Sequence, residues 1–467
     1  MNKKIFLKNI AQVAVSNGFR LLSSILMGLI LPIIFSVENY GYYRLFALYL
    51  TYFGLFHLGF IDGVYLHFGG KNYNELEKPK FVLYTRFLLY LELAATVVIV
   101  ILSLLFLDGE RQLIFILLGI NVIAANLTTY YQFISQVTSR FKEFSFRNIV
   151  YAILSSISVG IVFLLKLDNY RLFLLMILVI NYGLLMWYVF TYRDITFGNK
   201  NPIKNVKNDI IQFFKLGTPL LIANLITVLM LNLPKQLVDW FFNIETFAIF
   251  TFAYSLMSLA NIFIAAMSTV IYPTLKKINE ARLKDLYNHS ISLVLIVVML
   301  AMIIYFPLYL FVDTIIPKYS SSLNILRIVF PGLVISSSIQ IVKLNYFKVL
   351  QHIKQYFLTG FASLIISTIL GFLAYVLFGT TESIAISSVI SLFIWYVLTE
   401  LYFVKVYKVN PMKNLIYIML GTLVFYLPYF INNIYVGFTT YVVIIVILTI
   451  VLYKNLFVKI VKNKSLE

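Results

Sequence analysis

Long apolar stretches separated by short polar gaps follow one another along the whole chain. Fourteen of these stretches are long enough to cross a bilayer, because about 20 helical residues span a hydrocarbon core of about 30 Å. The gaps are too short to hold a folded domain, and the longest polar gap runs from Arg193 to Gln212. The pattern therefore predicts an all-α polytopic membrane protein with about 14 transmembrane helices.

Basic residues are concentrated in alternate gaps between the apolar stretches. The gaps that we assign to the cytoplasm hold 28 of the 37 lysines and arginines, and the opposite gaps hold seven. Lysine and arginine accumulate on the cytoplasmic side of membrane proteins, so the bias predicts that both termini are cytoplasmic. The same rule accounts for the net charge of +18 without a nucleic-acid partner.

An internal repeat becomes visible when the chain is shifted by 207 residues. Residues 37–43 then align with residues 244–250, and the order of outer turn, long helix and basic segment recurs. Because each repeat holds an even number of spans, the repeats are parallel, as in carriers built from two lobes. We expect an N-terminal six-helix lobe at 1–195, a cytoplasmic linker at 196–212, a C-terminal six-helix lobe at 213–408, and two extra helices with a basic tail at 409–467.

The usual signatures of enzymes and of cofactor sites are missing from the sequence. There is no P-loop, no cysteine, and the four histidines are scattered without the spacing of metal ligands. The outer loops carry only isolated carboxylates, whereas a glycosyltransferase would need several in one substantial loop. The sequence therefore predicts no enzymatic activity, no catalytic residue, no cofactor and no metal site.

Charged residues inside the apolar stretches are the remaining candidates for function, since burying an ion in a bilayer is costly. In the first stretch Gln12, Ser16, Arg20 and Ser24 recur every four residues and so form one polar stripe along a helix. Arg20 lies too deep in its span for easy snorkelling. Helix carbonyls or a structural carboxylate could satisfy it, but its depth favours exposure to a water-filled pathway.

Further charged residues in or near the spans extend this candidate site. Basic residues outnumber acidic ones, which suits an anionic cargo such as a phosphate ester. The weaker candidates for binding it are Arg44, Arg86, Lys235, Arg327 and Lys343. Arg86 sits near an interface, where ordinary snorkelling explains it equally well. The candidates for binding a coupling ion are Asp62, Glu92 and Asp239, although Asp62 and Glu92 could instead pair with Arg20 or Arg86.

Two segments carry a resemblance to a known family. Residues 35–43, followed by Leu58-Gly59-Phe60-Ile61-Asp62-Gly63, resemble the first helical hairpin of the Wzx-type polysaccharide flippases, which belong to the multidrug/oligosaccharidyl-lipid/polysaccharide exporter superfamily. Asp239, residues 245–250 and residues 270–275 resemble the start of the C-terminal lobe of that family. The resemblance implies two six-helix lobes around a V-shaped cavity lined by basic residues, a role that Arg20 fits best.

The resemblance also implies a function. We expect the protein to flip polyprenyl-pyrophosphate-linked oligosaccharide repeat units, with undecaprenyl as the lipid, from the cytoplasmic to the outer leaflet by alternating access. The expected location is the bacterial cytoplasmic (plasma) membrane, and the expected partners are this cargo, membrane lipid and other polysaccharide assembly proteins. A related drug/cation antiporter would instead need an acidic cavity. A non-transporting scaffold of a polysaccharide synthesis complex would tolerate a neutral residue in place of Arg20.

Overall fold

Helices of membrane-spanning length dominate the structure. The computed structural model describes residues 3–198, 206–257, 275, 278–430 and 433–464, and these residues form no strand. Within this part of the chain, ten helices are long and apolar enough to cross a membrane, or eleven if one bent pair is a single span. The prediction of an all-α polytopic membrane protein is confirmed, but the count of fourteen spans is not.

Eight helices make up the first half of the chain. They are α1 (Lys3–Ile34), α2 (Val37–Phe53), α3 (Phe60–Phe68), α4 (Lys78–Phe106), α5 (Gly109–Val137), α6 (Phe141–Leu164), α7 (Tyr170–Thr191) and the short α8 (Arg193–Thr196). Two of them begin at side-chain caps, which satisfy amide groups that the first helical turn leaves unpaired. The Ser36 hydroxyl accepts a hydrogen bond from the Asn39 amide at the start of α2, and Asn169 does the same for Leu172 in α7.

Ten further helices are described in the second half. They are α9 (Val206–Phe241), α10 (Ile244–Met257), α11 (Glu280–Ala301), α12 (Tyr305–Ile315), α13 (Ser322–Val329), α14 (Gly332–Val349), α15 (Ile353–Phe378), α16 (Thr381–Tyr407), α17 (Met412–Tyr426) and α18 (Ile434–Lys464). Residues 258–273 of the predicted eighth span lie outside the described residues. The predicted tenth span is bent by 44° between α13 and α14, where Pro331 interrupts it, and α14 contains a π-helical turn at Ser338–Lys343.

The predicted span Tyr43–His67 is not one continuous helix. α2 ends at Phe53, residues 54–59 form turns, and α3 begins at Phe60 after Gly59, whose φ of +89° suits glycine. α3 then lies directly against α9. A Cβ atom added to Gly63 would lie 2.0 Å from the carbonyl oxygen of Phe213, and one added to Gly217 would lie 1.9 Å from that of Gly59. Only glycine allows the two backbones to approach this closely.

The contacts of the chain define two compact units. Unit 1 comprises Met1–Asn232 and Phe242–Ala248, and unit 2 comprises Leu233–Phe241 and Ile249–Glu467. Most of α9 therefore belongs to unit 1 and only its last turns belong to unit 2. The lobe boundaries drawn from the repeat remain a prediction.

Buried polar contacts attach α17 and α18 to α11 within unit 2. The Ser292 hydroxyl donates to Asn414 Oδ1 at 2.9 Å, Tyr453 donates to the same oxygen at 2.7 Å, and Tyr441 donates to the Met299 carbonyl at 2.6 Å. These helices follow the second repeat in the sequence, and the contacts make them part of the packed interior of unit 2.

Candidate functional site

Arg20 lies on α1, a helix that packs along α6 in unit 1. The hydroxyls of Ser23 and Ser155 join the two helices at 2.9 Å. Ser16 is completely buried and its hydroxyl donates to the Val13 carbonyl, whereas Arg20 and Ser24 are exposed. The predicted polar stripe is therefore buried at Ser16 and exposed at Arg20 and Ser24. Arg20 makes no hydrogen bond or ion pair with any residue that the structure describes.

Arg44 and Arg86 are the other two predicted cations of unit 1, and both are half-buried. The Arg44 guanidinium lies 6.0 Å from the centroid of the Tyr40 ring, a favourable cation–π arrangement. Its Nε atom is buried and has no hydrogen-bond partner among the described residues. Neither arginine forms an ion pair within that part of the chain.

Lys235 and Arg327 lie in unit 2 and are also half-buried. The Lys235 ammonium is 5.5 Å from the centroid of the Tyr254 ring. Arg327 lies near the end of α13, where it interacts electrostatically with Tyr305 and Tyr426. Both cations therefore lie beside aromatic rings, and part of each side chain remains accessible.

Lys343 differs from the other predicted cations because it is entirely buried. Its Nζ atom lies 2.8 Å from Glu400 Oε2 and donates to the Tyr396 carbonyl at 2.7 Å and to the Thr399 hydroxyl at 3.1 Å. Glu400 also accepts a hydrogen bond from the Tyr287 hydroxyl at 2.9 Å. In this structure the ammonium is fully engaged, so a substrate-binding role would require the ion pair to open.

The predicted acidic residues are all buried, and they do not pair with the predicted arginines of unit 1. Asp62 lies in the first turn of α3, where the helix dipole stabilises a carboxylate. Its 3.8 Å contact with His57 Nδ1 is not an ion pair, because that nitrogen accepts a hydrogen bond from the Gly59 amide. Asp239 accepts a hydrogen bond from Gln236 at 3.2 Å, and Glu92 accepts one from Asn126 at 2.9 Å.

A polar network that the sequence did not predict holds α8 against α4 and the segment just before α4, all within unit 1. Asp194 accepts a hydrogen bond from the Tyr73 hydroxyl at 2.6 Å and lies 2.7 Å from the Lys78 ammonium, while Thr85 donates to the Ile195 carbonyl. Partial burial and the hydrogen bond to Asp194 raise the pKa of Tyr73. Burial alone would raise the pKa of Asp194, but the bonds from Lys78 and Tyr73 outweigh it and lower that pKa.

This network anchors the chain where the predicted linker begins. The Arg140 guanidinium lies 4.0 Å from the centroid of the Tyr73 ring, so Arg140 also contacts this network. The residues that meet here are far apart in the sequence, and no local pattern pairs them. The only sequence feature that pointed to this network was the presence of aromatic and basic residues at the predicted cytoplasmic ends of the helices.

The fold matches solved structures of membrane transporters. One is the lipid II flippase MurJ in an inward closed conformation, with a TM-score of 0.71 and 13% identity over 97% of this chain and all of that chain. A second is an inward-facing multidrug resistance MATE family transporter of the MOP superfamily, with a TM-score of 0.63 and 14% identity over 84% of this chain and 96% of that chain. A third is a MOP superfamily transporter from Pyrococcus furiosus, with a TM-score of 0.57 and 15% identity over 86% of this chain and 97% of that chain.

The architecture thus defines a multi-pass membrane protein whose fold is shared with these transporters and with the lipid II flippase. Residues 30–319 match the family model described as polysaccharide biosynthesis protein. The chain belongs to this family, which confirms the resemblance predicted from residues 35–63. No curated protein matches the sequence significantly.

Proposed function

We propose that this protein flips polyprenyl-pyrophosphate-linked oligosaccharide repeat units from the cytoplasmic to the outer leaflet for cell-surface polysaccharide synthesis. The membrane is the bacterial plasma membrane, both termini are cytoplasmic, and the lobes at 1–195 and 213–408 alternate access to the cargo. Membership of the polysaccharide biosynthesis family and a flippase-like fold support this proposal.

The observation that carries the proposal is the state of Arg20. It lies within a helix of membrane-spanning length, it is exposed, and no described carboxylate neutralises it. An arginine that stabilised the fold would be expected to have such a partner, because an unpaired charge within a membrane is costly. An exposed guanidinium can bind a pyrophosphate through paired N–H···O bonds instead.

The other basic candidates fit this role to different degrees. Arg44, Arg86, Lys235 and Arg327 are half-buried, so part of each side chain is accessible to a cargo during the cycle. Lys343 would contribute only in a conformation that separates it from Glu400. For coupling ions, we propose the acidic candidates Asp62, Glu92 and Asp239, each buried within the fold.

Substitution of Arg20 tests the proposal. In a strain lacking the chromosomal copy, Arg20→Ala should abolish export of the polysaccharide while the protein stays in the membrane at near-normal levels. Arg20→Lys should restore part of the export, because an ammonium still attracts phosphate but lacks the bidentate geometry. Surface polysaccharide and membrane protein are measured together on the same cells.

Arg171→Ala provides a matched control. Arg171 is also an exposed arginine of unit 1, but it already has an ion-pair partner in Glu110, so export should persist after its removal. Full export by Arg20→Ala would reject the binding role and favour a scaffold. Loss of folded protein in Arg20→Ala would show a structural role, and drug efflux without polysaccharide export would favour an antiporter.

A further inference from the structure

Glu92 on α4 and Asn126 on α5 form an isolated polar pair inside unit 1. The two residues are 0% and 1% exposed. Asn126 Nδ2 donates to Glu92 Oε2 at 2.9 Å and to the carbonyl of Phe53, the last residue of α2, at 3.3 Å. Both hydrogens of the amide are used, and this double donation fixes which end of the Asn126 side chain is the oxygen.

Two oxygen atoms of this pair are left without partners. Glu92 Oε1 and Asn126 Oδ1 are both buried and receive no hydrogen bond from the described residues. Neither atom can donate when the glutamate is ionised, so the two acceptors cannot satisfy each other. An ionised Glu92 would also be a buried charge without an ion-pair partner in the described part of the chain, which is a costly arrangement.

We propose that Glu92 and Asn126 form a proton-binding site, in which the neutral Glu92 carboxyl donates a hydrogen bond from Oε1 to Asn126 Oδ1. The carboxylic acid and the amide are then joined by two antiparallel hydrogen bonds. A single proton thereby removes the charge and satisfies both unpaired acceptors. A metal ion fits less well, because such ions take about six or more oxygen ligands and no group of three acidic or histidine residues that could hold one occurs among the described residues.

The ionisable groups around the pair do not supply a competing charge. Asn126 is the only described side chain that hydrogen-bonds to Glu92. The helices that pack against α4 and α5 are α2, α3, α6, α7 and α8, and the turns at 54–59 directly follow α2. Ionisable residues on these elements include Tyr49, Tyr52, His57, Asp62, Arg86, Tyr90, Tyr130, Tyr131, Tyr151, Tyr182 and Asp194, and none of them forms a hydrogen bond or an ion pair with Glu92.

The proton on Glu92 also affects the end of α2, because the Asn126 amide is shared with the Phe53 carbonyl. An ionised carboxylate is a stronger acceptor than a neutral one and draws the amide hydrogens towards itself. Loss of the proton is therefore expected to weaken the bond to Phe53, immediately before the turns at 54–59 that separate α2 from α3. This site is defined without reference to the cargo, so it can fail while the proposed flipping function stands.

Infrared spectroscopy of the purified protein tests the protonation state directly. At neutral pH the wild type should show the carbonyl stretch of a protonated carboxylic acid, and Glu92→Gln should remove that band. Glu38→Gln, at an outer position on α2, is the control and should leave the band unchanged. Identical carboxyl bands in wild type and Glu92→Gln would overturn the proposal.

The folded yield of Glu92→Gln is a second measurement. A glutamine amide can donate to Asn126 Oδ1 just as the protonated acid does, so the yield should equal that of the wild type. A large loss of folded protein would show that a negative charge is needed at residue 92, and it would equally overturn the proposal.

Hydrogen–deuterium exchange tests the link to α2. When the pH is raised far enough to ionise Glu92, residues 54–59 of the wild type should lose protection beyond the change in intrinsic exchange rate. The same segment in Glu92→Gln should show no such loss. An equal pH response in both proteins would refute the connection between the proton and the end of α2.

Discussion

Each of the two units contains a helix crossing held by a buried polar contact, and the chemistry of the two contacts differs. In unit 1 the Ser135 hydroxyl on α5 meets the Tyr192 hydroxyl at the end of α7 at 2.8 Å. In unit 2 Lys343 and Glu400, each 208 positions further along the chain, meet across α14 and α16 at 2.8 Å. This separation is one residue more than the 207-residue shift of the predicted repeat, so a neutral hydrogen bond and a buried ion pair lie at nearly corresponding positions of that repeat.

The helices that carry these contacts also differ. α5 is a regular helix of 29 residues, whereas α13 and α14 are separated by a bend at Pro331 and α14 contains the π-helical turn Ser338–Lys343. A π turn holds an extra residue and frequently occurs at functional sites. Lys343 is the last residue of that turn, so the ion pair depends on an irregular backbone. We infer that the crossing in unit 1 is a plain packing contact and that the crossing in unit 2 fixes one backbone arrangement among alternatives.

The largest effect is expected when one partner of the ion pair is removed. Glu400→Gln should lower the free energy of unfolding by about 3–5 kcal/mol, because it leaves the buried Lys343 ammonium without a counter-charge. Thermal unfolding of the detergent-solubilised protein would measure this loss. Glu382→Gln, in the first turn of the same helix, is the control and should have little effect.

A double variant separates the ion pair from the damage caused by breaking it. Lys343→Met combined with Glu400→Leu should recover most of the stability lost in Glu400→Gln, since apolar residues of similar size often replace a buried pair without cost. If the double variant is as unstable as the single one, the pair itself stabilises unit 2. Reduced export by a stable double variant would support a role in selecting the conformation.

Ser135→Ala tests the contact in unit 1 and should cost only about 1 kcal/mol, the net value of a neutral hydrogen bond. The cost is small because Tyr192 retains its hydrogen bond to Glu143 at 3.2 Å. The same thermal assay applies, with Ser156→Ala on the neighbouring helix α6 as control. A loss as large as that of Glu400→Gln would mean that the two crossings are energetically alike.

The partly exposed ion pair of Lys78 and Asp194 should have the smallest effect. Asp194→Asn should destabilise unit 1 by at most about 1 kcal/mol at neutral pH, because solvent screens an exposed pair. The pKa of Asp194 is lowered in the folded protein, so its contribution is complete above the pKa of the unfolded chain and is lost as the pH falls through the folded pKa. Unfolding measured across an acid titration should show the two proteins converging at low pH. A difference that persists at low pH would contradict this account.

The sequence was sufficient for the class of protein and for Arg20, which is the one exposed residue among the predicted site residues. Apolar stretches of membrane length and the basic gaps follow from the cost of burying polar groups in lipid, and this cost applies to each segment separately. The depth of Arg20 is likewise a local property of its helix. The family resemblance rested on residues 35–63, on Asp239 and on residues 245–250 and 270–275, all of which lie within the region that the family model matches.

Contacts between distant segments were beyond the sequence. Lys343 was predicted as an accessible cation because its position in a polar helix says nothing of Glu400, which follows 57 residues later. The break between α2 and α3 was missed because residues 54–59 are as apolar as their neighbours, and the turn depends on packing against α9. The pairing of Glu92 with a neutral amide instead of an arginine is also set by tertiary structure alone.

The close contact of Gly59 and Gly63 with α9 has a consequence for biosynthesis. Membrane helices are delivered to the bilayer in chain order, and domains form as their segments become available. Unit 1 includes α9 as far as Asn232, so the glycine surface of α3 has no packing partner until that later helix has been inserted. The first seven helices, α1–α7, must therefore wait in the bilayer in an incomplete arrangement, and a ribosome stalled after α7 would expose this surface to quality-control proteases.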